Sequence, residues 1–166
     1  MVRRPPGSTL CPCSTLFRSP EVVCAGAIFP AQPVKEEKDS FIVSGRWPFA
    51  SGCTGASLIG VGIAVEGESG GLPRTAVVPA TTVEIDETWN TIGLAGTGSH
   101  DVVLNAVPVK KEWTFIRGGA PSLDAPLYKY PSLCLAAQVL AVVGLGAAQR
   151  ALDEVVKMAA GRKSIT

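Results

Sequence analysis

At 166 residues, 46% of them apolar and 17% charged, the chain has room for one ordinary domain and a little more, and its composition argues for a packed core rather than global disorder. A net charge of +1 gives no electrostatic reason to bind nucleic acid or an acidic surface. His100 is the only histidine, and the five cysteines at positions 11, 13, 24, 53 and 134 contain no C-x-x-C pair, which sets aside a His-rich metal site, a zinc site and a disulfide framework.

Residues 1–20 have no hydrophobic periodicity and include Pro5, Pro6 and Pro12, so they read as an unstructured or artefactual leader. Arg3 and Arg4 are followed by Pro5-Pro6-Gly7 rather than an apolar run, which is not the pattern of a secretory signal. Free thiols and the lack of such a signal make the cytoplasm the expected location.

From Glu21 to Arg117 the pattern is β. The eighteen glycines and thirteen prolines of the whole chain suggest many turns linking short strands. Val22–Ile28 reads as a strand ended by Phe29-Pro30, and Lys35–Asp39 as a polar turn. Phe41–Val43 is a second strand closed by Ser44-Gly45, and Leu58–Val65 a third whose glycines suggest close backbone approach. Gly67–Pro73 is a hairpin loop by composition. Thr75–Pro79, Thr82–Ile85 and Asp101–Val107 complete the set, with Pro108 as the last stop. Many short strands at near-regular spacing point to a small barrel or sandwich.

A linker follows over residues 118–130, and from Pro131 to about Ala160 the spacing predicts one long helix, with Gly161 as its stop. Leu133–Ala148 is apolar apart from Gln138, yet short for a membrane span and rich in Ala and Gly, so the expected setting is a helix buried among helices or subunits of a soluble protein. A lone helix that is apolar on most sides needs partners, which leads to the expectation that the chain is a truncated piece of a larger protein.

Two segments have the composition of a ligand site. In Ser44–Gly52 glycines flank Trp47 and Phe49 ahead of the hydroxyl of Ser51; this places an aromatic face and a hydroxyl beside a flat ligand, or simply fills a strand–turn corner. In Trp89–Asp101 the spacing Gly93-x-x-Gly96-x-Gly98 supplies a loop of backbone N–H groups, or a plain glycine-rich connection. It is neither a dinucleotide-binding fingerprint nor a phosphate loop, because a strand rather than a helix follows. His100 invites a general-base role but has no nucleophile and carboxylate at matching spacing, so it reads as a loop histidine; Cys53 reads as a small packed residue.

Taken in order, the segments Gly45-Arg46-Trp47-Pro48-Phe49-Ala50-Ser51-Gly52 and Trp89 through Val102, with the Val107-Pro108 exit and the later Ala-Ala-Gln-Arg-Ala-Leu stretch, resemble the acyl-CoA dehydrogenase superfamily. The match is closer to its branch of two-component flavin-dependent monooxygenases that act on aromatic compounds. The resemblance implies an α+β chain: an acyl-CoA dehydrogenase-like middle β-barrel domain over residues 21–117, then the first long helix of a C-terminal helical bundle over 131–166. It implies a flavin, FMN or FAD, with Phe49 beside its ring, Ser51 and Gly52 at its reactive edge, residues 25–31 up to Ala31 as a neighbouring wall, and Thr97, Gly98 and Ser99 shaping the loop near flavin and substrate. It further implies a flavin reductase as partner, a small aromatic substrate, and a homo-oligomer at full length. The chain departs from the family pattern in having Pro30-Ala31-Gln32 and Asp39-Ser40-Phe41 where glycines are usual. An FAD-dependent acyl-CoA dehydrogenase of the same fold, and a non-catalytic β module with a helical oligomerisation tail, are the competing readings.

Overall fold

Alternation of apolar and polar residues builds the strands. In β3 (Ser40–Trp47) Phe41, Val43 and Trp47 turn inward while Ser44 and Arg46 face out; in β7 (Asp101–Lys110) Val102 and Leu104 are buried. The computed structural model of the chain describes residues 21–68, 71–120 and 124–160, which fall into two compact units divided between Gly119 and Ala120.

The first unit holds two four-stranded sheets. One has the order β1 (Cys24–Pro33), β4 (Leu58–Ala64), β5 (Arg74–Pro79), β8 (Thr114–Ile116); the other has the order β2 (Lys35–Glu36), β3, β7, β6 (Glu84–Asp86). β1 runs parallel to β4, and the remaining pairs are antiparallel. Both sheets feed one core, in which Val43, Trp47 and Leu104 from one meet Ile59, Val61 and Ile63 from the other. Trp47 ties them together: its buried indole N–H donates to the carbonyl of Gly62 at 2.9 Å, so the one polar atom of the ring has a partner. Gly62 is itself fixed by proximity, since a Cβ there would lie 1.9 Å from the Ile28 carbonyl oxygen.

Several sequence expectations change in the structure. β1 does not stop at Phe29-Pro30 but continues to Pro33, because its pairing with β4 breaks between Ala27 and Gln32, and Pro30 falls in that unpaired bulge where a missing N–H costs nothing. β3 likewise passes through Ser44-Gly45 by a register shift. β7 continues through Pro108, which sits where β7 has lost β6 as a neighbour, since β6 covers only Asp101–Val103. The polar stretch at Lys35 begins with the two-residue β2, and β8 was not expected at all.

The mixed strand-and-helix composition matches the expected α+β class, but no closed barrel is found among the described residues. The edges of one sheet are β1 and β8 and those of the other β2 and β6, with no strand pairing between the sheets among the described residues; β2, β6 and β8 are only two or three residues long.

In the second unit a 3-10 turn at Pro126–Lys129 precedes α1 (Ser132–Ala160), a helix of 29 residues. The N–H of Leu135 donates to Pro131 O at its start. Near its end Glu154 pairs with Arg150 at 2.6 Å and with Lys157 at 3.3 Å, as helical spacing allows. Its large apolar residues, among them Leu140, Val143, Leu145 and Met158, are exposed. By length and composition α1 passes the test for a membrane span, a test that the core helix of a bundle also passes. The expected leader and the Gly161 stop lie outside the described residues.

Candidate functional site

The end of β3 turns sharply from core to surface. Trp47 is fully buried, and two residues later Phe49 stands 67% exposed with φ at 61°, a left-handed conformation that a bulky side chain adopts only when its surroundings hold it. Two backbone bonds provide that hold: Ala50 N–H donates to His100 O at 3.0 Å, and Gly52 N–H to Thr97 O at 2.8 Å. The turn from Phe49 to Gly52 is thereby laced to the loop before β7. The ring of Phe49 meets that of Trp89 edge to face, with centroids 6.1 Å apart and planes at 87°.

The partner loop is folded around one carbonyl. Leu94, at φ 57°, opens a 3-10 turn at Ala95–Thr97 that Gly98 closes at φ 50°. The Leu94 oxygen accepts from the Trp89 indole N–H at 3.1 Å, the Thr97 N–H at 3.0 Å and the Thr97 hydroxyl at 2.9 Å. From Thr97 a chain of hydroxyls runs outward: Thr97 Oγ1 to buried Ser99 Oγ at 2.7 Å, and Ser99 Oγ to exposed Ser51 Oγ at 2.7 Å.

Beside the site an ion-pair cluster pins the strands. Arg46 reaches Asp101 at 2.7 Å and also binds Asp86, while the Thr88 hydroxyl donates to Asp101 at 2.9 Å. Burial pushes the Asp101 carboxyl up, but the hydrogen bonds from Arg46 and Thr88 outweigh this and hold it below the ordinary carboxylate value. The Arg46 guanidinium is raised, first by the Asp101 bond and then by that of Asp86.

Of the residues expected from the sequence, Phe49, Ser51, Gly52, Thr97, Gly98 and Ser99 come together here. Ala31 is placed differently: it lies in the β1 bulge and lines a cavity of 430 Å³ with Ile63, Val65, Leu72, Arg74 and Ile116. His100 anchors the loop, its Nδ1 accepting the Trp89 N–H at 3.1 Å, which puts the proton of the neutral ring on Nε2. Cys53 is buried, with its thiol 3.5 Å from Gly98 O. Trp89 as the brace of Phe49, and the Arg46–Asp101–Thr88 cluster, were not legible as site residues. The opposite charges of Arg46 and Asp101 are a signal only once the register pairing Trp47 with Val102 is known.

The result is an open face: an aromatic ring with exposed Ile92 and Leu94 nearby in the chain, a hydroxyl at Ser51, and clear space over Gly52, where an added Cβ would meet nothing within 4 Å. Such a face suits a flat ring system with a polar edge.

No protein-family model matches the chain. It is 54% identical over 149 residues to an indole-3-acetate monooxygenase of Acinetobacter baumannii, covering 89% of this chain and 38% of that protein. It is 32% identical over 155 residues to the oxygenase component of an FADH(2)-dependent resorcinol hydroxylase of Rhizobium sp., covering 87% of this chain and 38% of the relative. Among solved structures, XiaF from Streptomyces sp. in complex with FADH2 and glycerol aligns with a TM-score of 0.68 at 27% identity, covering 90% of this chain and 40% of that one. Over most of its length the chain is thus similar, in sequence and fold, to part of the oxygenase components of flavin-dependent monooxygenases and hydroxylases. It spans 38% of the length of these curated relatives.

Proposed function

We propose that the protein is the oxygenase component of a two-component monooxygenase that hydroxylates a small aromatic compound with reduced flavin and dioxygen. The observation that carries this reading is the exposed ring of Phe49 set beside the hydroxyl of Ser51, on a chain 54% identical to an indole-3-acetate monooxygenase. Reduced flavin, FMN or FAD, supplies two electrons when bound, so that one oxygen atom enters the substrate and the other leaves as water.

The protein's own work is binding, orientation and exclusion of water. Phe49, braced by Trp89, packs on the ring; Ser51 bonds its polar edge; the open space over Gly52 lets the ring approach the backbone; Thr97, Gly98 and Ser99 shape the mouth. Ala31 belongs to a neighbouring wall in this reading. The two sheets over one core stand for the expected barrel in this reading.

We read α1 as a bundle helix of a cytoplasmic, homo-oligomeric protein rather than a membrane span. In support, a match covering 89% of the chain runs into α1, so its sequence is shared with the A. baumannii protein. A flavin reductase is the expected partner. Nothing in the site favours an acyl-CoA dehydrogenase, and of the two curated relatives described above one is a monooxygenase and the other the oxygenase component of a hydroxylase by name.

The test uses protein expressed from its complete reading frame, supplied with reduced flavin, oxygen and a panel of small aromatic acids and phenols. The expected result is a hydroxylated product with matching oxygen consumption. Reduction of bound oxidised flavin by an acyl thioester, without oxygen incorporation, would contradict the reading.

A further inference from the structure

The loop that braces Phe49 is fastened through one imidazole. Trp89 aims its backbone N–H at His100 Nδ1, 3.1 Å away, and both residues are half-buried. That nitrogen can accept only through a bare lone pair, so the bond exists only while the ring is neutral with its hydrogen on Nε2. A second proton would set two N–H groups head to head at 3.1 Å. The backbone of the same residue fastens the neighbouring turn: His100 O accepts from Ala50 N–H at 3.0 Å, and His100 N–H donates to Gly98 O at 2.8 Å. The other anchors of the Trp89 segment lie at its ends. Thr88 is tied to Asp101, its hydroxyl donating to the carboxylate at 2.9 Å and accepting the Asp101 N–H at 3.2 Å, and Thr97 O accepts from Gly52 N–H at 2.8 Å. The bond from the Trp89 indole to Leu94 O joins two residues of the loop itself and moves with it.

We propose that His100 is a proton-sensitive latch: its neutral ring holds Trp89 against Phe49, and uptake of a proton releases the segment from Trp89 to Gly96. Thr88 and Thr97 stay in place through their own bonds, so the opening is confined to the loop between them. The charged groups around the ring belong to the neighbouring strands. Asp101 follows it in β7, Arg46 of β3 and Asp86 of β6 pair with one another and with that carboxylate, and Glu87 lies on the segment leading to Trp89. Residues 89–99 and the turn 49–52 contain no charged side chain, and Cys53, with its thiol 3.5 Å from Gly98 O, is the titratable group that follows the turn. Carboxylates ordinarily titrate near 4 and thiols near 8.5, so between about pH 7.5 and about pH 5.5 an imidazole is the group that changes charge. The latch is a property of the loop and does not require the flavin reading. On that reading it makes the Phe49 face a weaker binder in acid.

The test is amide hydrogen exchange of the protein, expressed from its complete reading frame, read at the Trp89 amide at about pH 7.5 and about pH 5.5, either side of the ordinary imidazole value. Rates are corrected for the intrinsic effect of pH. Protection of the Trp89 amide should fall by roughly 10-fold at the lower pH, the scale of one donor left unpaired, while β4 keeps its protection and reports an intact fold. His100→Asn puts an amide oxygen where Nδ1 stood and cannot take up the proton, so its Trp89 amide should be protected at both values. His100→Ala has no acceptor there and should be unprotected at both. A wild-type amide equally protected at both values, or His100→Asn losing protection in acid as wild type does, would overturn the proposal. Flavin titration over the same pH step separates the two readings. An affinity that falls together with protection supports both, and an affinity that holds while protection falls supports the latch and counts against the flavin face.

Discussion

The hydroxyl oxygens of Ser51 and Ser99 lie 2.7 Å apart, although 48 positions separate them in the chain. One sits on the turn leaving β3 and the other on the loop entering β7, so this contact joins the two segments whose composition first suggested a site. Around it Ala50 and Gly52 bond the backbone of the same loop, and Phe49 packs on Trp89.

Phe49 is held in a strained conformation and is mostly exposed, a combination that stability alone does not explain. Phe49→Gly removes the ring and relieves the positive φ. We expect thermal stability to stay level or rise slightly while flavin affinity falls by roughly 10-fold or more, the loss of one aromatic stack. Differential scanning fluorimetry beside a flavin titration checks both halves.

Gly62 gives the opposite pattern. A methyl group there would lie 1.9 Å from the Ile28 oxygen and 2.6 Å from its carbon, and both are backbone atoms that cannot swing aside. Gly62→Ala should force β1 away from β4 and destabilise the β unit by about 3 kcal/mol or more, the upper end of overpacking costs. Chemical denaturation measures it, and a variant of wild-type stability would show that β1 does not lie as described.

Trp47 links the sheets through its N–H. Trp47→Phe keeps most of the ring but strands the Gly62 carbonyl in the core, at a cost of about 1–3 kcal/mol. The same denaturation experiment reads this, and a neutral result would mean that the carbonyl finds another donor.

Much of this was legible in the sequence, for reasons that differ by element. The core strands declared themselves through alternation, as in Phe41 and Val43, and α1 through its length and apolar spacing. Pro30 and Pro108 misled because proline ends a strand only where its missing N–H faces a partner, and each sits where it does not. β8 has just three residues and is held by pairing to β5, which no local pattern announces. At the site, the two glycine-rich motifs supplied the hydroxyls. The bracing by Trp89 and the Arg46–Asp101–Thr88 cluster depend on register, and register is a property of the folded sheet.

The Asp101 cluster carries a pH signature. Its folded carboxyl titrates below the ordinary value near 3.9, while the unfolded chain titrates at that value. The folded state thus binds its proton less readily, so the stabilisation is complete above the unfolded pKa and is lost as pH falls through the folded one. Glu68, lowered by its hydrogen bond from Arg74, adds in the same sense. Thermal midpoints should hold steady down to about pH 5 and then decline with acid. Asp101→Asn should be less stable at neutral pH and show a shallower acid decline; an unchanged slope would remove Asp101 as a source.

On the proposed function, a flavin ring lies on the face made by Phe49 and Ser51. A crystal structure of the protein, expressed from its complete reading frame and loaded anaerobically with reduced flavin, tests it most directly. The expected result is the ring stacked beside Phe49 with its polar edge hydrogen-bonded to Ser51 Oγ. A flavin bound elsewhere, for example in the 430 Å³ cavity lined by Ala31 and Arg74 with the Phe49 face left bare, would contradict it.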